Sequence, residues 1–451
     1  MTTRLTAVIS SLAALVLAGC ASVSPPSPAP APTPAPEAAP TAIACPEGPP
    51  AAAKCLRGID SAGAPYLLVL PTPWSGVLFV HAHGGPFLGA PTDARADEDI
   101  KRWSVIVREG HAYAASVFRQ GGFAVTTAAE DSERVRRIFT DHVAKPRRTV
   151  LHGQSWGGMV ATRAAEMFPK SWDAMLLTSG VVGGPATYDF RVDVRALYQH
   201  LCNNHPRPDE PPYALALGLP AGSSLTSAQL ATRVNACLAL DKPVAERTPE
   251  QKSKAKLIAD VIRTPESSIL GHINWGTFTL ADVTRRHGGA PFTNVGVRYT
   301  GSPDDAALNA ALDKAGLRFA ADAAARARFV ADVDHSGRFA MPVVSTHGIN
   351  DSTIFVDGSD TLRARMLAAG NGARLVQTFV DSSEHSYLGE AIYPALFSSL
   401  IDWVEKGDKP TPKSIAERCT ARQVATAKPS SDCRFLPDYT AKPLASRVPA
   451  R

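Results

Sequence analysis

The sequence has no strong charge of either sign. Of its 451 residues, 47 are Lys or Arg and 42 are Asp or Glu, which gives a formal net charge of +5. An excess this small argues against a nucleic acid or an anionic membrane surface as the partner. Hydrophobic residues make up 45% of the chain and charged residues 20%, which is typical of a globular protein with a sizeable core.

Metal-binding and phosphate-binding patterns are also missing from the sequence. It has no CxxC pair and no Cys/His cluster with zinc spacing. The glycine pair Gly157 and Gly158 is not followed by the lysine of a P-loop. We therefore expect neither a metal ion nor a cofactor.

The N-terminus has the pattern of an export signal. "MTTRLTAVISSLAALVLAGC" carries one basic residue, an apolar run and then small residues before Cys20. The run is too short and too early for a spanning helix, so residues 1–19 are interpreted as a secretion signal. "LAGC" resembles the bacterial lipobox, which implies a mature chain that begins at a lipid-bearing Cys20. An ordinary signal followed by a chance cysteine is the alternative.

The residues after Cys20 indicate where such an anchor would hold the protein. Ala21 and Ser22 follow without an aspartate, which resembles the pattern of lipoproteins sent to the outer membrane. Residues 20–44 include "VSPPSPAPAPTPAPEAAP", whose prolines favour an extended polyproline conformation. We interpret 20–44 as a tether between the membrane and the folded domain.

Six cysteines remain after Cys20, an even number that suits an oxidising compartment. Their spacing does not determine how they pair. Their order along the chain suggests three local disulfides, namely Cys45 with Cys55, Cys202 with Cys237 and Cys419 with Cys433.

From residue 45 onward, short apolar runs alternate with helical patterns, which predicts an α/β fold with a mostly parallel sheet covered on both faces. Helices are expected near 128–143, 155–168 and 390–406. The predicted strands are "PYLLVLP", "GVLFVHAHGG", "AYAASVF", "RTVLHG", "DAMLLTSGVV", "PVVSTHG" and "RLVQTFVD".

The alternation breaks between the later strands, which divides the chain into predicted parts. Residues 184–340 contain interrupted helical patterns and few convincing strands, so they are expected to form a cap or lid subdomain. Residues 45–183 and 341–415 form the predicted core. Residues 416–451 form a C-terminal extension that contains one of the expected disulfides.

A candidate nucleophile lies in "RTVLHGQSWGGMV", between a predicted strand and a predicted helix. Gly153 to Gly157 match G-x-S-x-G with Ser155 at the centre. A serine at such a sharp turn takes a strained backbone conformation, and small neighbours prevent clashes. The helix that follows favours negative charge at its N-terminus. A plain structural turn is the alternative interpretation.

A serine hydroxyl needs a base to take its proton and an acid to orient that base. His385 follows the strand "RLVQTFVD", and Asp351 follows the strand "PVVSTHG". Both are therefore expected at the same sheet edge as Ser155, and the chain order is serine, acid, histidine. Activity should then rise as the pH increases from acidic to neutral. The rival acids are Asp357, Asp381 and Asp189.

The same chemistry needs backbone N–H groups that stabilise an oxyanion. The residue after the nucleophile, Trp156, is one candidate. The second donor is expected in "HAHGGP", with Gly85 as the first choice and Gly84 as the second; a simple glycine turn is the alternative. His83 is expected to support this loop rather than transfer protons.

In the order "HGGP", "GQSWGG", "HGINDS" and "SSEHSYLG", these stretches resemble the α/β-hydrolase superfamily of serine hydrolases. The resemblance covers about residues 65–183 and 341–406. It implies a Ser155, His385, Asp351 triad and hydrolysis through an acyl-enzyme. The insertion between the later strands is similar to that of esterases and lipases, so a small-molecule or oligomeric carboxylic ester is the expected substrate.

Two alternatives stay open. One is a serine peptidase or aminopeptidase of the same fold, in which the acidic residues of "RPDEPP" (207–212) would hold a peptide terminus. The other is a non-catalytic lipoprotein that uses the fold for binding. The aromatic stretches "TYDF" and "INWGTFTL" would line a substrate pocket or form the core of the cap. The oligomeric state cannot be deduced from the sequence.

Overall fold

The structure is a computed structural model. It describes residues 36–203, 219, 222–425 and 433–449. The predicted signal, the lipid-bearing cysteine Cys20, most of the predicted tether and the stretch "RPDEPP" lie outside the described residues.

A nine-stranded sheet with the order β1-β2-β3-β5-β4-β6-β7-β8-β9 forms the centre of the fold. The pairs β1–β2, β2–β3 and β3–β5 are antiparallel, and the other five pairs are parallel. The mostly parallel sheet is confirmed. The strands are β1 Thr41–Ile43, β2 Lys54–Ile59, β3 Pro65–Leu70, β4 Val77–Ala82, β5 Ala112–Ser116, β6 Arg148–Gln154, β7 Ala174–Thr178, β8 Val343–Gly348 and β9 Leu375–Val380.

Thirteen α-helices occur in the part of the chain that the structure describes. Seven of them, α4 to α10, lie between β7 and β8. The helices are α1 Asp93–Arg108, α2 Val125–His142, α3 Gly157–Met167, α4 Ala186–Cys202, α5 Ser227–Leu238, α6 Pro249–Ile262, α7 Ile269–Asn274, α8 Leu280–His287, α9 Asp305–Lys314, α10 Ala323–Val333, α11 Gly358–Ala368, α12 Ile392–Lys406 and α13 Pro412–Ala425.

Helices cover both faces of the sheet because its strands are apolar on both faces. Every residue of β4, β5 and β7 is buried. On one face, α2, α3 and α11 pack on side chains such as Leu151 and Met175. On the other, α1, α12 and α13 pack on side chains such as Phe79 and Leu176. This architecture is the α/β-hydrolase fold, as expected.

The segment predicted as a cap is helical where the structure describes it. It contributes side chains such as Leu197, Ile258 and Tyr299 to an apolar cluster separate from the two that cover the sheet. The disulfide Cys202–Cys237 joins the end of α4 to α5. A disulfide at this point fastens the two helices to each other.

The expected tether over 20–44 was wrong at its C-terminal end. Thr41–Ile43 forms β1, and Ile43 pairs with Cys55 of β2. The carboxylate of Glu37 accepts hydrogen bonds from the backbone N–H and the hydroxyl of Ser61, both 2.7 Å long. The disulfide Cys45–Cys55 holds the two strands together, so the chain already belongs to the sheet before the predicted boundary.

The boundary of the C-terminal extension also differs from the expected one. Helix α13 runs through the expected boundary at residue 415. Its first turns pack on α12 through side chains such as Ile415. After the disulfide Cys419–Cys433, the chain runs along the free edge of β9. Leu436 N–H donates to the carbonyl of Phe379 over 2.8 Å. All three disulfides thus join the pairs that the order of the cysteines suggests.

Candidate active site

Ser155 lies at the sharp turn between β6 and α3, where its φ of 52° is in the left-handed region. The turn is possible because the residues two positions before and two positions after Ser155 are glycines, which have no side chain. A Cβ on Gly153 would lie 2.6 Å from the carbonyl oxygen of Gly157, and a Cβ on Gly157 would overlap the carbonyl oxygen of Ala82. Gly153 and Gly157 thus permit the strained turn that the motif predicts.

The structure brings Ser155, His385 and Asp351 together at the carboxyl edge of the sheet. The Ser155 hydroxyl donates a hydrogen bond to Nε2 of His385 over 2.8 Å. His385 Nδ1–H donates to Oδ2 of Asp351 over 2.7 Å. The two partners lie on the loops that follow β9 and β8, as expected from the parallel strand order. A proton on the serine therefore has a direct path to the imidazole.

Asp351 is held by four hydrogen-bond donors. Its Oδ1 accepts from the backbone N–H groups of Thr353 and Ile354, at 2.8 and 3.1 Å. Its Oδ2 accepts from His385 and, over 3.2 Å, from Nε2–H of His347. Burial alone would raise the pKa of Asp351, but the hydrogen bonds from His347 and His385 outweigh it and hold that pKa well below its usual range. The carboxylate is therefore ionised.

His347 is a residue of the site that sequence reasoning missed. It is the penultimate residue of β8, lies four positions before Asp351 and is buried. The same Nε2–H also donates to the carbonyl of Ile354 over 2.9 Å, so the imidazole spans the base of the Asp351 loop. The only sequence signal was a histidine at the end of a strand, next to the candidate acid. That signal does not show which atom the side chain binds.

The structure assigns other partners to the three rival acids. Asp357 accepts from Nε of Arg447 over 2.9 Å, and Asp189 forms a bidentate pair with Arg326 at 2.9 Å. Asp381 accepts from Nδ2 of Asn350 over 3.3 Å. Asp351 is thus the acid that contacts His385 among these four candidates.

The loop after β4 brings Gly84 close to the serine. A Cβ on Gly84 would lie 3.4 Å from Cβ of Ser155, whereas a Cβ on Gly85 would face Phe87. Trp156 comes immediately before α3, where the first backbone N–H groups have no partner inside the helix. The three predicted oxyanion donors therefore lie on the two segments around Ser155.

His83 is buried and supports this loop. Its ring stacks on Phe118 with the centroids 4.3 Å apart, and its Nδ1–H donates to the carbonyl of Gly84 over 2.6 Å. Burial, assisted by the positive charge of Arg95, lowers the pKa of His83 to about 3. The imidazole is therefore neutral at physiological pH, which agrees with a supporting role.

The aromatic stretches of the inserted segment surround a buried cation. The guanidinium of Arg191 lies over the rings of Tyr188, Phe190 and Trp275, at 4.7, 4.9 and 5.2 Å from their centroids. Tyr188 also packs on Phe123, whose ring contacts Trp156. Through these contacts "TYDF" and "INWGTFTL" form a packed layer near the candidate site.

Fold and site together define a hydrolase-type α/β architecture with a serine, histidine and aspartate in hydrogen-bonding order. No family model matches the chain, and no curated protein matches it. Solved structures to which the chain is similar include esterases.

A rice cell wall degrading esterase LipA from Xanthomonas oryzae is 13% identical, with 81% of this chain and 98% of that chain covered and a TM-score of 0.40. Feruloyl esterase B from Aspergillus oryzae is 13% identical, with 79% and 82% covered and a TM-score of 0.38. Another esterase from Aspergillus oryzae is 11% identical, with 83% and 87% covered and a TM-score of 0.41. These likenesses are too distant to indicate a substrate.

Proposed function

We propose that this protein is a serine hydrolase that cleaves carboxylic esters through an acyl-enzyme intermediate. The observation that carries the proposal is the 2.8 Å hydrogen bond from the Ser155 hydroxyl to His385, with Asp351 on the far nitrogen of the same imidazole. A serine on a strained turn, a base within reach and a buried carboxylate behind that base are the three parts that activate an oxygen nucleophile.

In the first half of the reaction, Oγ of Ser155 forms a bond to the ester carbonyl carbon while its proton moves to Nε2 of His385. Asp351 stabilises the imidazolium that results, because its carboxylate is ionised and hydrogen-bonded to Nδ1. The tetrahedral intermediate then collapses. The bond to the alcohol oxygen breaks, and the alcohol leaves with the proton that His385 returns.

In the second half, a water molecule attacks the acyl-enzyme. His385 takes a proton from the water as the new bond forms to the carbonyl carbon, and it returns that proton to Oγ of Ser155 as the acid departs. The ester and one water are thereby converted into an acid and an alcohol. The enzyme ends in its starting protonation state.

The negative oxygen of both intermediates requires hydrogen-bond donors. In this proposal they are the N–H of Trp156 and an N–H of the loop after β4, at Gly85 or Gly84. Two facts support this loop: Gly84 lies against Ser155, and His83 fixes the carbonyl of Gly84. Loss of one such donor typically lowers kcat by about 10²- to 10³-fold.

The test compares matched esters and amides on purified protein and two serine variants. We expect p-nitrophenyl acetate to be hydrolysed faster than acetyl p-nitroanilide. Ser155→Ala should lower the ester rate by at least about 10³-fold, since it removes the nucleophile.

Ser179→Ala is the matched control, because Ser179 is buried at the end of neighbouring strand β7 with a φ of 44°. Full ester activity in Ser155→Ala would refute the proposal. Faster cleavage of the anilide would instead favour the peptidase alternative.

We also propose that the protein is exported and anchored by a lipid on Cys20, on the outer membrane. The export signal and the lipobox resemblance support this, and the three disulfides agree with an oxidising compartment. In a bacterial host fed with labelled palmitate, the protein should carry the label in the membrane fraction. Cys20→Ser should abolish the label, and a label that persists in this variant would contradict the anchor.

A further inference from the structure

A cavity of about 120 Å³ adjoins the candidate oxyanion site. It lies between the loop that follows β4 and the loop that follows β5. Trp156, the residue after the candidate nucleophile, forms part of its wall, and so does His83 of the glycine loop. A group that enters this cavity therefore contacts the residue that directly follows the candidate nucleophile.

Four of the side chains that line the cavity, those of His83, Phe87, Phe118 and Trp156, carry aromatic rings that are held in place by packing. His83 stacks on Phe118, and the ring of Phe118 meets Trp156 edge to face with the centroids 6.0 Å apart. Phe87 closes the outer side at 6.0 Å from His83. Aromatic rings pack on one another in offset or edge-to-face arrangements, so these walls suit a flat apolar ring.

The one cation in the described wall does not call for an anionic ligand. The guanidinium of Arg95 lies 4.0 Å from the ring centroid of Phe87. It is already engaged by two carboxyl groups, because Nε and Nη2 donate to Asp99 over 2.8 and 2.6 Å and Nη1 donates to Glu98 over 3.3 Å. A paired arginine stacked on a phenylalanine extends the flat apolar surface.

The volume limits which group fits. A cavity of about 150 Å³ lined by apolar side chains is known to bind benzene in another protein. A space of about 120 Å³ has room for one six-membered ring or a short branched chain of similar size. A long linear acyl chain would project out of the cavity into solvent.

We propose that this cavity binds a single aromatic ring of the substrate, next to the ester carbonyl, and thereby makes the protein selective for aryl esters. The proposal rests on the ester hydrolase function above. It assigns Phe87 a role in specificity, because this side chain forms the outer wall. It predicts a preference for aryl over long-chain esters.

Two neighbouring residues at the mouth allow a matched comparison. Phe87 is 47% exposed and Leu88 is 46% exposed, so both are large apolar side chains at the surface of one loop. Phe87 belongs to the wall, whereas Leu88 is not among the described residues that line the cavity. Alanine at either position removes similar exposed apolar area, but only Phe87→Ala opens the cavity.

The experiment measures kcat/KM for methyl acetate, methyl benzoate and methyl octanoate, and for benzyl acetate. The two series place the ring on the acyl or on the alcohol side of the ester. In the wild-type protein, one ring-bearing ester should exceed its aliphatic counterparts. Phe87→Ala should lower the ratio of the preferred aryl ester to the matching simple acetate by about tenfold, or about 1.4 kcal/mol. Leu88→Ala should leave that ratio unchanged.

A second readout does not depend on turnover. In the Ser155→Ala protein, binding of methyl benzoate and of benzyl acetate is measured by calorimetry, with and without Phe87→Ala. Weaker binding with Phe87→Ala supports the cavity as the ring site even if no ester is hydrolysed, in which case only the proposed function fails. Ester hydrolysis with octanoate preferred, or equal ratios in Phe87→Ala and Leu88→Ala, overturns the ring site and leaves the hydrolase proposal standing.

Discussion

Asp351 holds the polar groups of the candidate site in place at the carboxyl edge of the sheet. It binds two imidazoles through one oxygen and two backbone N–H groups through the other. This division means that a change at one oxygen affects the candidate base, while the loop is still held by the second oxygen. Asp351 can therefore be tested without loss of the loop.

Asp351→Asn is expected to reduce kcat/KM for the ester by roughly 10⁴-fold, as in other triads. The amide oxygen can still accept from Thr353 and Ile354, but the neutral side chain no longer stabilises an imidazolium. Steady-state kinetics on p-nitrophenyl acetate measure the effect. Asp357→Asn, at an acid paired with Arg447, is the control. Turnover near the wild-type level in Asp351→Asn would remove this residue from the triad.

His347 is predicted to act as a positioning residue through Asp351. His347→Leu removes one of the hydrogen bonds that lower the pKa of Asp351, so that pKa should rise. A titration of the Asp351 carboxyl followed by NMR should show this rise, and kcat should fall about tenfold. His347→Gln keeps a donor and should restore part of both effects. An unchanged Asp351 pKa in a folded His347→Leu protein would indicate a purely structural role.

Among single residues, the sequence was sufficient to predict the site residues that come soon after a strand. Ser155, Asp351 and His385 each come just after an apolar run, and parallel strands carry such residues to one edge. His347 could not be assigned in this way, because its partner depends on the path of the loop that returns to it. For the same reason, the sequence could not decide between Gly85 and Gly84.

Among the strands and helices, apolar runs predicted seven strands of the central sheet. The other two strands, β1 and β2, were not predicted because they lack an apolar run. Strand β2 reads "KCLRGI", with two charges in six residues, and only Cys55 and Leu56 of it are buried. Helix α1 begins with a run of charged residues, and its buried side chains are concentrated in its second half. Neither segment has the continuous apolar run from which the seven strands were predicted.

Because α3 approaches β4 closely, one added methyl group at their contact should lower the stability of the protein strongly. Gly157→Ala would place a Cβ against the carbonyl oxygen of Ala82, on backbone that cannot move aside. We expect this variant to lose at least about 2 kcal/mol of unfolding free energy, as overpacked cores do. Chemical denaturation monitored by circular dichroism measures the loss.

Gly180→Ala is the matched control for this effect. A Cβ there would lie 3.5 Å from its nearest neighbour, Cβ of Leu177, which is ordinary contact. This variant should stay within about 1 kcal/mol of the wild type. Equal stability of Gly157→Ala and Gly180→Ala would mean that the close approach of α3 to β4 is not as described.

At the scale of the whole molecule, buried histidines link stability to pH. Burial lowers the pKa of each of six of them, to about 3 in His83, His152 and His272 and to about 4 in His111. His81 and His335 are shifted in the same direction, also by burial. Each is neutral in the folded protein, but an unfolded chain would protonate it below about pH 6.5.

Stability should therefore fall as the pH is lowered from about 6.5 toward 4, because the unfolded state then binds more protons at these six sites. Burial raises the pKa of Asp99 to about 7 and that of Asp131 to about 6, which acts in the opposite direction at two sites. The histidines outnumber them. Urea midpoints measured across this range should decrease by an amount equal to several kcal/mol, and a flat midpoint would contradict the account.

The arrangement of the whole chain was predictable where the order of motifs determines it. The serine, acid and histidine follow one another across three strands, so the core on both sides of the insertion could be outlined from the sequence. The packing of α4 to α10 could not, because their apolar side chains are divided between a cluster of their own and the cluster that covers one face of the sheet. The ring cavity also depends on two loops that are distant along the chain.

Covalent labelling shows whether Ser155 is an activated nucleophile. Purified protein is treated with a fluorophosphonate probe, and mass spectrometry locates the label. Ser155→Ala and heat-unfolded wild-type protein are the controls. We predict a label on the peptide that contains Ser155, absent from both controls. A folded wild-type protein without a label, or a label that persists in Ser155→Ala, would contradict the account.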